Sequence, residues 1–202
     1  MAAGGRFALD ALQSVTSCAW SEIRPYRTQV VVASALATVW AIWASGPGPT
    51  APALVVAACG GAALGVIDAH THRLPNALSY PTTVTVAVLL LLAATASGDF
   101  PTAARAGLGG LGLTVGFLLL HLINPKGLGF GDVKLAALVG LVSAWFGWTT
   151  FWSALLVTFL LGGLVALALL LARRATRTTA IALGPFMLIG TAAAVTGTRL
   201  FG

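Results

Sequence analysis

Asp68 and Asp132 are the residues whose type and position best suit them to chemistry. The chain holds only five acidic residues. Asp10 and Glu22 lie in a mixed N-terminal tail, and Asp99 lies in a short turn, Ser97-Gly98-Asp99-Phe100-Pro101. Asp68 closes one long apolar run and Asp132 opens another. A carboxylate at the depth of a membrane is costly and commonly marks function. Paired carboxylates suit peptide hydrolysis without a metal. Two like charges held close cannot both ionise cheaply, so the pair shares a proton. The ionised member draws a proton from water, which attacks the scissile carbonyl. The protonated member donates to the carbonyl oxygen and then to the leaving amine. Such a pair titrates as a unit, so neither aspartate is assigned as the acid or the base alone.

Each aspartate by itself has a plainer reading. Asp132 directly precedes a helical run and is a good N-cap type, and Asp68 reads as an interface residue at a helix end. The local context favours the pair. Asn124-Pro125-Lys126-Gly127-Leu128-Gly129-Phe130-Gly131 leads into Asp132. Alternating glycines allow unusual backbone angles and let another chain come close, as an extended substrate must. Lys134 lies two residues past Asp132, so on a helix the two cannot share a face. It reads first as a positive anchor and second as an aid to substrate docking. Asp68, His70 and His72 have the look of a metal cluster, but only His121 stands as a further ligand candidate, so no metal is expected. Pro75 and Asn76 suit a turn that starts the next helix.

The elements that must position these residues are membrane helices. The chain of 202 residues is 58% hydrophobic and 8% charged, with a mean hydropathy of +0.95. That leaves too few charges to cover a soluble domain. Apolar runs recur at 28–45, 51–68, 79–97, 103–123, 132–148, 150–172 and 180–199, close to the roughly 20 residues a bilayer core requires. They are continuously apolar rather than alternating, which disfavours a β-barrel. The expected fold is an all-α polytopic bundle of about seven transmembrane helices, with residues 1–27 as a cytoplasmic or interfacial segment and 28–202 as the membrane domain. The fifth run is the shortest. Glycines at 107, 109, 110, 112, 162 and 163 suggest close helix packing. Tryptophans near the run ends (Trp40, Trp43, Trp145, Trp148, Trp152) suit an aromatic belt.

The net charge of +6 does not indicate nucleic acid, because no basic stripe with interleaved aromatics is present. The charges instead set orientation. Arg6, Arg24, Arg27, Arg73, Lys126, Lys134, Arg173, Arg174 and Arg177 fall on one side if seven spans alternate, and only Arg105 and Arg199 on the other. The positive-inside rule then puts the N-terminus in the cytoplasm and the C-terminus outside. It also puts both Asp68 and Asp132 at the cytoplasmic face.

These residues resemble the prepilin peptidases, also called type IV leader peptidases, and their archaeal preflagellin relatives. Gly129-Phe130-Gly131-Asp132-Val133-Lys134 is similar to the family's GxGD motif with its following Lys. Asp68 followed by Leu74-Pro75-Asn76 is similar to the family's first motif, and Gly184-Pro185-Phe186 resembles its late Gly-Pro-Phe. The resemblance covers about residues 55–190. Presenilin-like GxGD proteases fit less well, since their Pro-Ala-Leu motif has no counterpart near the C-terminus.

The resemblance implies an aspartic endopeptidase of the bacterial inner membrane. Asp68 and Asp132 would be catalytic, and Gly129, Phe130, Gly131, Lys134, Pro75, Asn76, Gly184 and Pro185 supporting or substrate-binding. Gly184-Pro185 reads first as a helix break and, by resemblance, as an approach to the site. The implied partners are pilin-like precursors with a basic leader and a hydrophobic helix. Many family members carry an extra cytoplasmic domain with two CxxC pairs, linked to N-methylation. The two cysteines here, Cys18 and Cys59, form no CxxC pair. The short, peptidase-only form is therefore expected, with no zinc, no S-adenosylmethionine and no other cofactor. The competing expectations are a small transporter that binds ions at the two aspartates, and a non-catalytic assembly factor in which they cap helices.

Overall fold

The computed structural model describes residues 26–71, 74–125, 127–172 and 183–201. They form seven helices: α1 (Arg27–Ser45), α2 (Ala51–Thr71), α3 (Asn76–Ser97), α4 (Phe100–Ile123), α5 (Phe130–Phe146), α6 (Trp148–Leu171) and α7 (Gly184–Phe201). Each expected apolar run is matched by one helix. Residues 1–25, with Asp10 and Glu22, lie outside the described residues, as do Arg73, Lys126, Arg173, Arg174, Arg177 and His72.

Local chemistry sets the helix ends. Gly46 ends α1 with φ 63°, and its N–H bonds the Ile42 carbonyl at 3.2 Å. Gly98 ends α3 in the left-handed region at φ 72°, which costs glycine least. Asp99 starts α4: its Oδ1 accepts from the Thr102 N–H at 3.2 Å, with Pro101 in the first turn. That bond holds the exposed Asp99 carboxyl below its ordinary range. Pro75, in extended conformation, precedes α3, and its carbonyl accepts the N–H groups of Leu78 and Ser79.

Five helices, α1 to α4 and α6, are long and apolar enough to cross a membrane. Their outward faces carry exposed Leu36, Val39, Leu108, Leu111, Leu156 and Leu160. A water-soluble fold does not leave so much contiguous apolar surface bare, whereas lipid accepts it. The chain is a multi-pass helical membrane bundle. At 17 residues, α5 is roughly 25 Å long, short of the ~30 Å hydrocarbon core. It is the hub of the bundle, in contact with α2, α3, α4, α6 and α7. With protein rather than lipid around it, its length need not match the bilayer.

Small residues make the tightest seam, between α4 and α5. A Cβ built on Gly140 would lie 2.5 Å from the Gly109 carbonyl oxygen and 2.8 Å from the Gly110 Cα. The expected packing role therefore holds for Gly109 and Gly110. It fails for Gly107 and Gly112, which face open space, as does Gly163 in α6. One face of a helix meets its neighbour, and these three lie on another. Gly190 of α7, which carried no expectation, packs on the backbone of α6: its added Cβ would lie 2.7 Å from the Ala154 carbonyl oxygen.

Among the described residues, the basic side chains sort by bundle end. Arg27 opens α1, whose neighbour Tyr26 stacks on His70 near the end of α2, with ring centroids 4.2 Å apart. Arg105 lies at the opposite end. Its guanidinium donates to the carbonyls of Ala144 and Trp145, both at 2.7 Å, and so closes the C-terminus of α5. Arg199 lies at that same end, beside Gly46.

Candidate active site

The short connection from α2 to α3 and the loop before α5 bring the two aspartate motifs to one end of the bundle. Asp68 lies three residues before the end of α2, one turn earlier than the apolar run suggested, because the helix continues to Thr71. Asp132 is the third residue of α5, whose N-cap position is Gly129. It is thus not an N-cap residue. Its carboxylate folds back towards the Gly129 amide, as an acidic group at the third helical position commonly does. Asp68 is 4% and Asp132 6% exposed, so both carboxylates sit in the protein interior rather than among lipid headgroups.

Three helices meet at the pair. Asp132 lies within electrostatic reach of Asp68 and of the Gly184 backbone amide. A Cβ built on Gly184 would lie 2.5 Å from Asp68 Oδ2. Gly184 is the first residue of α7 and Pro185 the second. The expected break inside a helix is instead a helix start, where proline's missing N–H costs nothing.

The supporting residues divide into two groups. Leu74, 6% exposed, packs onto Gly131: a Cβ added there would meet Leu74 at 3.2–3.3 Å. The Lys134 ammonium donates to Asn76 Oδ1 and lies 5.1 Å from the Phe130 ring centroid and 5.8 Å from that of Tyr80. Leu74 and Asn76 of the first motif thus clamp Gly131 and Lys134 of the second. Lys134 points away from Asp132, as their spacing requires. Pro75 shapes the start of α3.

Sequence reasoning gave no role to Leu74, Tyr80 or Leu135. Leu74 had a signal, since it lies inside the first motif; the other two had none. His121 was weighed as a metal ligand, but its Nδ1 lies 2.7 Å from the Leu128 carbonyl oxygen and its ring meets Phe130 edge-on at 5.6 Å. It pins the glycine-rich loop. The Nδ1 of His70 lies 2.9 Å from the Val66 carbonyl oxygen of its own helix.

Beneath the pair, an apolar cleft of about 330 Å³ runs between α1, α2, α5 and α7. Trp40, Ala58, Ala62, Val139 and Leu188 help to line it. Ala62 is six residues before Asp68, roughly 9 Å along the helix. Leu188 lies between cleft and carboxylates, against Gly61 and Gly65.

Fold and site together define a polytopic membrane protein with two interior carboxylates on separate helices, within electrostatic reach of each other. The chain belongs to the Type IV leader peptidase family, whose profile matches residues 54–171, more than half of its length. The match includes both aspartates and ends before Gly184. A prepilin leader peptidase/N-methyltransferase of Pseudomonas aeruginosa is 32% identical over 165 residues, covering 79% of this chain and 54% of that protein. A protein of the same name from Pseudomonas putida is 33% identical over the same shares. The chain spans about half the length of these curated relatives. No solved structure matches it.

Proposed function

We propose that the chain is a membrane aspartic endopeptidase that removes the leader from pilin-like precursors at the cytoplasmic face of a bacterial inner membrane. The observation that carries this reading is the convergence of Asp68 and Asp132, inside the family-matched segment, on the bare backbone of Gly184. One carboxylate activates the water, and the other protonates first the carbonyl oxygen and then the leaving amine. The proton they share makes both tasks available at once.

Three further features support the reading. The basic residues crowd towards the carboxylate end in the sequence, which by the positive-inside rule is the cytoplasmic end. The apolar cleft, which reaches Ala62 on the helix that carries Asp68, offers apolar surface to the precursor's hydrophobic segment. Gly129, beside the Asp132 carboxylate, leaves backbone for an extended substrate to approach. Gly129, Phe130, Gly131, Lys134, Pro75 and Asn76 form the frame around the dyad. A transporter would hold its carboxylates near the middle of the bilayer on broken helices; here they occupy the last turn of one helix and the first turn of another.

The test is reconstitution of the full chain with a precursor carrying a basic leader, a Gly and a hydrophobic run. Leader release should require both aspartates. Near-normal processing by Asp68→Asn and by Asp132→Asn would overturn the assignment. Ion uptake into proteoliposomes that depends on Asp68 would replace it with transport.

A further inference from the structure

We propose that Gly184 is a positioning residue of the dyad: the first residue of α7 must lack a side chain so that the Asp68 and Asp132 carboxylates can close on each other over its backbone. The proposal rests on the dyad reading above and adds a third helix to it.

The geometry is specific. A Cβ on Gly184 would lie 2.5 Å from Asp68 Oδ2, 3.2 Å from Asp68 Cγ and 3.3 Å from Leu135 Cδ2. Real Cβ contacts essentially never fall below 3.0 Å, so something must move. Leu135 is 1% exposed and Asp68 4%, so both are enclosed by protein rather than open to solvent. The softest response is rotation of the Asp68 carboxylate away from the added methyl, and therefore out of its register with Asp132.

Backbone conformation does not explain the glycine. The described glycines with positive φ are Gly46, Gly98 and Gly147, and Gly184 is not among them. Helix propensity by itself favours alanine at this place. Pro185 follows in the first turn, with no N–H to offer and a fixed φ. The α7 amide that reaches Asp132 is therefore that of Gly184, and the rigid ring limits any local adjustment of α7. Gly61 and Gly65, by contrast, abut the flexible end of Leu188, which can turn aside without touching the chemistry.

Two measurements test this. The first compares Gly184→Ala with the unsubstituted full chain for kcat and KM on a pilin-like precursor, alongside thermal unfolding in detergent. We expect kcat to fall about a hundredfold, the scale of a misplacement near 1 Å, with KM and Tm nearly unchanged. Adding Leu135→Val, which makes room on the other side of the new methyl, should restore part of kcat. The second needs no substrate and no activity. With Cys18→Ser and Cys59→Ser as background, Asp68→Cys and Asp132→Cys are combined, and disulfide yield on mild oxidation is read with Gly or Ala at 184. High yield with Gly and low yield with Ala supports the positioning role, even if the chain proves not to be a peptidase. Equal yields, or no disulfide with Gly at 184, overturn it. So does a Gly184→Ala enzyme with undiminished kcat, or one whose loss lies wholly in KM or in Tm; in those cases the peptidase reading stands or falls separately on the Asp→Asn variants.

Discussion

Gly140→Ala adds one methyl group at the seam that holds the Asp132 helix. The nearest atoms to the new Cβ would be the Gly109 carbonyl oxygen at 2.5 Å, the Gly110 Cα at 2.8 Å and the Gly109 carbonyl carbon at 2.9 Å. All are backbone atoms, so no rotamer change relieves the clash. To restore an ordinary 3.4 Å contact, α4 and α5 must separate by about 0.9 Å at the closest point, and close-packed interiors absorb such a shift poorly. Overpacking of this kind costs roughly 1–3 kcal/mol, and a backbone contact belongs at the upper end. About 3 kcal/mol lowers Tm by roughly 6–12 °C in a domain of this size. Gly140 lies eight residues from Asp132, roughly 12 Å along α5. The displacement reaches the dyad attenuated, and kcat should fall about tenfold rather than the hundredfold of a full 1 Å error. Thermal unfolding in detergent with precursor processing measures both effects. Gly107→Ala and Gly112→Ala are matched controls on α4, facing open space, and should leave stability unchanged or raise it by up to about 1 kcal/mol. Equal Tm values for Gly140→Ala and the unsubstituted chain, or a Gly107→Ala variant as damaged as Gly140→Ala, would refute the packing argument.

Asp68→Asn and Asp132→Asn should each lower processing by at least about 10²–10⁴-fold, the usual contribution of a general acid or base, while membrane insertion, read by fractionation, stays intact. Lys134→Met and Asn76→Ala should each slow processing less than tenfold. In a double-mutant cycle of thermal stabilities they should couple by roughly 0.5–1.5 kcal/mol; additivity would mean that the contact does not brace the two motifs. Asp99 gives a pH signature. Its hydrogen bonds to Thr102 hold its carboxyl below the ordinary range, so its stabilising contribution is present above the unfolded value and is lost as pH falls through the depressed folded value. The small Tm deficit of Asp99→Ala at neutral pH should close on acidification; a deficit that widens in acid would contradict the cap.

Much of the fold was legible because lipid imposes a simple rule. A segment that crosses hydrocarbon must be long, apolar and helical, so each span left a readable run. The runs from Thr28 and Ala51 and the turn residues Gly46, Pro75, Gly98 and Asp99 mark ends that the structure keeps to within a few residues. The aspartates were legible because acids are scarce here and two sit at run edges. The misplaced details have local causes. Polar Ala69-His70-Thr71 still extend α2, because intrahelical hydrogen bonds do not require apolar side chains. Phe130 and Gly131 already belong to α5, which moves Asp132 from the cap into the first turn. Pro185 starts a helix rather than breaking one.

The linear chain by itself determined the solvent and the seven apolar runs that match the described helices, and it singled out two acids at run edges, since composition and spacing carry hydrophobicity and charge directly. Only the tertiary structure decided which surfaces meet: that Gly109 packs on Gly140 while Gly107 faces open space, that Leu74 covers Gly131, that Lys134 reaches Asn76, and that Gly184 lies against Asp68. Contacts between helices depend on rotation and depth, and in a helix apolar all round no stripe of sequence reports which side turns inward.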